Sequence, residues 1–402
     1  MKLVSLRFSD LNGTLKKVLI SEEKFKESKE RGIWFDGSSI LGFVRRFESD
    51  MRLRPDENSK FRLNNCDVYS GNKAYEGDPR FILKKVLKEA ENLGFNFLVA
   101  GELEFYLLKD GEKLDKGSYF DVSPKDKAQE VKIKIIEMLN EAGIEWDSGH
   151  HEVGPGQNEI DIKCDNALLT SDKILFTKNV IKLVAESCGL KATFMPKPFF
   201  GLPGNGMHLH MSLWDKEKNL FFDENSKQKI SQLAKFFIGG ILKHVKAITA
   251  ITNPTINSYK RLGEFEAPKY IYWGSKNRDA LIRVPEFINH ASARIEFRAS
   301  DPSTNPYLAF AVLLKAGIEG IKNEIEPEEA IEEDIYENGR YKKLDSLPST
   351  LQEALEELKK DNIIKSTLSL AYEKFVDLKK AEIEEYMARK ITDWEIEKYF
   401  DT

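Results

Sequence analysis

The sequence predicts an α+β protein in which short apolar strands carry acidic side chains to one place and amphipathic helices pack behind them. Three observations lead there. Asn96 to Leu107 reads NFLVAGELEFYL, one buried strand broken only by Glu102 and Glu104. Side chains two residues apart on a strand share a face, so both carboxylates point the same way, about 7 Å apart along the chain. The pattern then recurs in HEVGPGQNEI (151–160), MHLHM (207–211) and RIEFR (294–298). Between these strands lie segments of helical period.

Taken in order, residues 2–20 alternate and turn at Asn12-Gly13, which predicts a hairpin. Lys24 to Arg31 is a short polar helix, and WFDGSS (34–39) is rich in turn residues and reads as a loop. Arg52 to Ser70 gives further short strands, so residues 1–75 form a small strand-rich N-terminal domain and 76–402 a larger one. At the boundary Asp78 can cap and Pro79 suits the first helical position, opening an amphipathic helix over 80–93. Helices are predicted over 125–142, 172–188, 230–250 and 305–323, and again from Thr350 onward.

The composition is that of a soluble enzyme-sized protein. The 402 residues are 41% hydrophobic and 32% charged, with a net charge of −5 and both signs mixed throughout. That gives no basic footprint for nucleic acid and no polybasic patch for a membrane. No run approaches the ~18 apolar residues of a membrane span, and no signal segment opens the chain. The three cysteines are isolated, as expected in a reducing compartment, so a cytoplasmic protein is expected.

A buried carboxylate without a cation is costly. Five acids and one or two imidazoles on apolar strands therefore point to a metal centre. An oxygen-dominated set suits magnesium or manganese over zinc. Each piece has a plain alternative: a solvated sheet face for E-x-E, a structural role for His-x-His, a cross-strand ion-pair ladder for R-x-E-x-R. The last third adds Arg261, Arg278, Arg283, Arg294 and Arg298. Guanidinium groups bind phosphate and carboxylate through paired hydrogen bonds, so metals with arginines suggest phosphoryl transfer onto an anionic substrate. Surface salt bridging would also use such arginines. There is no Walker loop and no G-x-G-x-x-G after a strand.

The ordered set FSDLNGTLK, WFDGSSILGFVRRFESDM, EGDPR, GELEFYLL, HHEVGPGQNEIDIK, FMPKPFFG, GMHLHMSLW, NPTINSYKRL, NRDALIRVP and RIEFRASDPSTNPYLAF closely resembles glutamine synthetase of the bacterial and archaeal class I type, over nearly the whole chain. The resemblance implies a β-grasp N-terminal domain. It implies a catalytic domain whose antiparallel sheet forms an open half-barrel backed by helices. It also implies a homo-dodecamer of two stacked hexamers with sites between subunits, and two to three Mg²⁺ or Mn²⁺ ions per site with ATP as co-substrate. Glutamate and ammonia, or another amine, would be the remaining substrates.

By position, Glu104, Glu152 and Glu159 match the ligands of a first metal, and Glu102, His208 and Glu296 those of a second. His210, Ser212 and Arg294 match nucleotide contacts. Glu104, Gly204, Arg261 and Arg298 match the glutamate site. Arg278 and Arg283 match the groups that steady the transferring phosphate, Arg283 on the nucleotide side. Asp36 matches an acid that reaches a neighbouring subunit's site to bind ammonium, and Glu266 the acid of a closing flap.

Three features depart from the family. Pro203 stands where an asparagine helps hold the substrate amino group, with Asn205 as the nearest replacement. The flap between Arg261 and Glu266, Leu-Gly-Glu-Phe, is one residue short. The chain also begins at its first strand. The first two bear on the nucleophile and leave a γ-glutamyl–amine ligase as the alternative to an ammonia ligase. A non-catalytic relative would lack metal ligands, and all six positions are filled. Arg45 matches a feedback arginine of some class I enzymes, or forms an ordinary ion pair. The surroundings of Tyr336 do not match the loop that other members modify with AMP, so no adenylylation is expected.

Overall fold

The computed structural model describes residues 3–44, 49–59, 63–337, 339–389 and 391–399. Arg45, the candidate feedback residue, lies outside the described residues. β1 (Leu3–Ser9) and β2 (Leu15–Ser21) form the expected hairpin. Gly13, at its turn, has φ +78°, and a Cβ there would stand 2.9 Å from the Asn305 Cα. Both the left-handed backbone and the close approach require glycine. α1 (Glu22–Arg31) is capped by Ser21. The WFDGSS stretch, read as a loop, instead supplies β3 (Ile33–Asp36) and a short 3₁₀ turn over Gly37–Ser39. Pairing with β4 (Asp50–Pro55), Phe35 opposite Met51, overrides the local turn preference. β5 (Cys66–Ser70) and β6 (Lys73–Ala74) complete a four-stranded sheet. Leu6, Phe8, Phe43, Met51, Leu53 and Val68 fill its core.

α2 (Pro79–Asn92) starts as expected: Asp78 accepts from the Arg80 amide at 3.1 Å. The buried Arg80 guanidinium contacts Asp56 at 2.7 Å, Asp67 at 2.6 Å and Asp172 at 3.2 Å. It thereby joins the N-terminal sheet to the larger body.

That body is built on β7 (Asn96–Lys109), followed by β8 (Glu112–Lys113), α3 (Gln129–Glu141), β9 (Trp146–His151), β10 (Gln157–Asn166) and α4 (Ala167–Ser187). Next come β11 (Lys191–Thr193), β12 (Leu209–Asp215), β13 (Lys218–Asn219), α5 (Gln232–Thr252), β14 (Trp273–Gly274), β15 (Ile282–Arg283), β16 (Ile295–Phe297) and α6 (Pro306–Lys322). α7 (Leu351–Lys360), α8 (Asn362–Thr367), α9 (Ala371–Arg389) and α10 (Asp393–Tyr399) close the chain. Two helix starts differ from expectation. α3 begins four residues later than 125, because Asp115 and Asp126 accept from the amides of Lys127 and Ala128 and hold a turn there. α4 begins before Asp172, because Asn166 caps it through the Leu169 amide at 3.0 Å.

The main sheet runs β14-β15-β16-β12-β7-β10-β9, with β8 and β11 also on β7 and β13 on β12. It is open, and antiparallel except for β14 with β15. α2, α4, α5 and α6 pack behind it, around Phe97, Val99, Leu209, Phe237, Ile248 and Phe310. Among the described residues no helix is long and apolar enough to cross a membrane.

Candidate active site

Strand register brings the acids together. Glu104 pairs with Glu159 and Glu102 with Asp161 across β7 and β10, and Glu159 pairs with His150 on β9. On the other side the Glu102 amide donates to the His208 carbonyl at 3.1 Å. His210 pairs with Glu296, and Glu296 with Arg283. Glu102, Glu104, Glu152, Glu159, His208 and Glu296 all line one cavity of about 710 Å³, together with Glu266, Arg278, Arg283 and Arg298.

The cavity has two electrostatic halves. In one, Glu102 is gripped by His208 Nδ1 at 2.8 Å and His210 Nε2 at 2.7 Å. Glu296 accepts from Arg298 at 2.5 Å and Arg283 at 3.0 Å. Burial alone would raise both carboxyls. The histidine charges around Glu102, and Arg298 with the histidines around Glu296, overcome burial and hold both below the usual range. The other half lacks such cations. Burial and the Glu104 charge raise the Glu152 carboxyl to about 7 and push Glu159 well up, while burial and Glu102 raise Asp161 to about 6. There His150 Nε2 is 3.2 Å from Glu159, and burial lowers its pKa.

Two smaller cavities flank this one. The first, about 210 Å³, is lined by Glu104, Pro203, Gly204, Arg261, Glu266 and Arg298. Arg261 is fixed from behind, donating to the Ala299 carbonyl at 2.8 Å and that of Ser300 at 3.2 Å. Glu266 lies across the opening, 3.7 Å from Arg298 and 3.9 Å from Arg278. The second, about 500 Å³, is lined by His210, Ser212, Trp214, Asp147, Cys164 and Arg294. Arg294 Nε donates to His210 Nδ1 at 3.2 Å.

One expectation, at Asn205, meets a different arrangement. Asp36, expected to serve a neighbouring subunit's site, lines none of these cavities of its own chain. It is exposed and spends its oxygens on Ser38 and Ser39. Asn205 does not stand in for the missing pocket asparagine. It is fully buried, and its amide turns away to donate to the Met195 carbonyl at 2.9 Å and accept from Gln157 at 3.2 Å. Arg283 lines the acid cavity together with Arg278 and does not line the one with Ser212.

Sequence reasoning also missed several participants. His150 and Asp161, not singled out in the sequence, form a close group with Glu159; His210, expected at the nucleotide, forms another with Glu102 and Glu296, each with potential ligand atoms within 4.8 Å of one another. Asp161 had a signal, since it repeats the i+2 spacing after Glu159. Gly206 had none. A Cβ there would sit 2.5 Å from Arg261 Nη2 and 3.1 Å from Glu104 Oε1. Its amide donates to Glu104 at 2.8 Å.

Comparison with known proteins fits this geometry. The family profile "Glutamine synthetase, catalytic domain" matches residues 76–399, and "Glutamine synthetase, beta-Grasp domain" matches residues 1–65. The chain belongs to the glutamine synthetase family. A glutamine synthetase from Pyrococcus furiosus is 46% identical, covering 100% of this chain and 97% of that relative. Among solved structures, a GmaS–ADP complex superposes with TM-score 0.93 at 30% identity, covering 100% of this chain and 97% of that one. A Plasmodium falciparum glutamine synthetase superposes with TM-score 0.89 at 26% identity, covering 99% and 96%. Glutamine synthetases generally use ATP and divalent metals, and the acid cavity fits such ions. Its uncompensated carboxylates are hard oxygen donors whose mutual repulsion a divalent cation would relieve.

Proposed function

We infer that this glutamine synthetase family protein joins ammonia to the γ-carboxylate of glutamate at the expense of ATP, through γ-glutamyl phosphate. The carrying observation is the single cavity lined by all six family-matched ligands, in a chain 46% identical to a glutamine synthetase over its full length. A carboxylate is a poor acyl donor, because oxide is a poor leaving group; phosphorylation supplies a good one.

The roles follow from position. Arg261, stapled to backbone carbonyls, and Arg298 present guanidinium forks to the glutamate carboxylates beside Glu104 and Gly204. Arg278 and Arg283, on the acid cavity, hold the γ-phosphoryl oxygens as they leave the nucleotide. His210, Ser212 and Arg294 hold ATP in the adjoining cavity. Glu104, Glu152 and Glu159 would hold one divalent ion and Glu102, His208 and Glu296 another, Mg²⁺ or Mn²⁺, two to three per site. Ions bound there supply neutralisation of the phosphate charge during transfer. Glu266, bridging Arg278 and Arg298, screens the acyl phosphate from water.

The exposed Asp36, away from its own chain's cavities, supports a homo-oligomer in which a neighbour donates it to deprotonate ammonium. We take that assembly as a cytoplasmic dodecamer, with residues 1–75 and 76–402 as the two domains. Pro203 in the pocket, with Asn205 turned away, favours an amine larger than ammonia as the second reading. Incubation with glutamate, ATP and Mg²⁺ plus ammonium, methylamine or putrescine separates the two. Phosphate release with ammonium and little with the amines is expected. The reverse pattern would overturn the ammonia assignment.

A further inference from the structure

A separate cavity lies where the N-terminal hairpin meets α4. It has a volume of about 490 Å³ and shares no lining residue with the three cavities above. Its wall carries Lys178 and Lys182 but no aspartate or glutamate, in a chain with 66 acidic residues. The two lysines sit four residues apart on α4, a spacing at which like charges repel. Both ammonium groups approach the ring of Phe194, at 5.5 and 5.7 Å. Among the described residues neither has a carboxylate within 4.0 Å, although Lys178 donates to the Pro302 carbonyl. The nearby Asp301 is occupied by Ser303 and Asn253. Burial and the Lys182 charge lower the Lys178 ammonium to about 8. The rest of the wall offers neutral hydrogen-bonding groups, Thr193, Thr255, Asn257 and Ser303, and Asn12, whose side-chain oxygen is buried without a partner. Two cations without a carboxylate partner among the described residues, polar neutral groups and an aromatic face call for a small dianion.

The same wall backs the glutamate pocket. Asn257 Oδ1 accepts from the Lys197 amide at 2.7 Å, and the Pro196 carbonyl accepts from the Asn205 amide at 2.8 Å. A Cβ on Gly204 would stand 2.4 Å from that Pro196 oxygen. Thr255 caps the 3₁₀ segment Ile256–Lys260, which leads directly into Arg261. A ligand drawn against Pro196 or Thr255 therefore presses on both Gly204 and Arg261.

We propose that the cavity between the Asn12–Thr14 turn and the Lys178/Lys182 face of α4 binds a small organic dianion, a dicarboxylate or a phosphomonoester, and thereby adjusts affinity for glutamate. Calorimetric titration of the full protein at low ionic strength with succinate, and separately with glycerol 3-phosphate, tests the site and distinguishes the two chemistries. An Arg278→Ala control removes binding at the phosphate position of the catalytic cavity. The expected result is saturable binding of one probe that survives Arg278→Ala and weakens at least tenfold in Lys182→Met, an exposed position that tolerates the change. That probe is also expected to shift the glutamate KM at least twofold in the unaltered protein and not in Lys182→Met, whose activity without the probe is unchanged. No saturable binding, binding lost in Arg278→Ala but kept in Lys182→Met, or a KM indifferent to the bound probe would each overturn the proposal. The calorimetric arm does not depend on catalysis, so failure of the ligase assignment would leave it standing.

Discussion

Glu152→Gln should act in opposite directions with and without metal. In the metal-free protein Glu152 is held against Glu104 with little solvent, and its carboxyl rises from 4.5 to about 7. The folded state therefore binds this proton more tightly than the unfolded chain. Stability is unaffected by the group below about pH 4.5, falls as pH rises toward 7, and stays lowered above that. The cost of charging is about 3 kcal/mol at ~1.36 kcal/mol per tenfold change in proton affinity. Glutamine removes the charge, while its carbonyl keeps the hydrogen bond that Glu152 accepts from the Val153 amide at 2.8 Å. For a chain of this length the unfolding entropy is about 0.8 kcal/mol/K, so the variant should melt roughly 3–4 °C above the parent at pH 8 in EDTA. At pH 4.5 the gain should vanish. In saturating Mg²⁺ the order should reverse, because the variant, short of one carboxylate ligand, binds the ion about a thousandfold more weakly, a loss of about 4 kcal/mol that exceeds the ~3 kcal/mol gain. Differential scanning calorimetry at both pH values, with EDTA and with Mg²⁺, reads all four conditions. A variant that is less stable than the parent at pH 8 in EDTA, or equally stabilised by Mg²⁺, would refute the picture of a carboxylate cluster held for a cation.

Other substitutions test the neighbouring geometry. Gly206→Ala places a methyl group against Arg261 and Glu104 and should lower kcat/KM at least a hundredfold, with the larger change in the glutamate KM, read in a phosphate-release assay. Arg261→Lys keeps the charge but loses the contacts to Ala299 and Ser300; a rise of at least tenfold in the glutamate KM is expected, with the ATP KM unchanged. Arg80→Met leaves Asp56, Asp67 and Asp172 around an uncharged side chain in a buried setting and should cost about 3–5 kcal/mol in urea unfolding. Metal binding should release protons near pH 6–7, because Glu152 and Asp161 must ionise; titration in two buffers of different ionisation enthalpy measures this directly.

The strands that carry the chemistry were legible because each is apolar except where it must not be. Glu102, Glu104, His208 and Glu296 betray themselves by period alone, and the cap at Asp78 by residue type. The partners that decide orientation were not legible. Asn205 stands two residues from Pro203 in a glycine-rich loop, yet distant carbonyls at Thr193 and Met195 turn its amide inward. WFDG has the composition of a turn, and only its pairing with β4 makes it a strand. Gly206 looks like any other loop glycine until Arg261, 55 positions later in the chain, folds across it. Local pattern shows which side chains a segment can offer; contacts between remote segments decide which way they face.

Because Glu102 and Glu104 hang from adjacent like-facing positions of the central strand β7, the pitch of a polypeptide, and not any adjustable rotamer, gauges the gap between the two halves of the cavity. Lengthening or shortening that strand by a single residue would rotate every donor on it to the opposite face. Any change of nucleophile is thereby left to the rim, where Pro203 and Glu266 line the smaller cavity, while the spacing at its centre stays as rigid as the backbone itself.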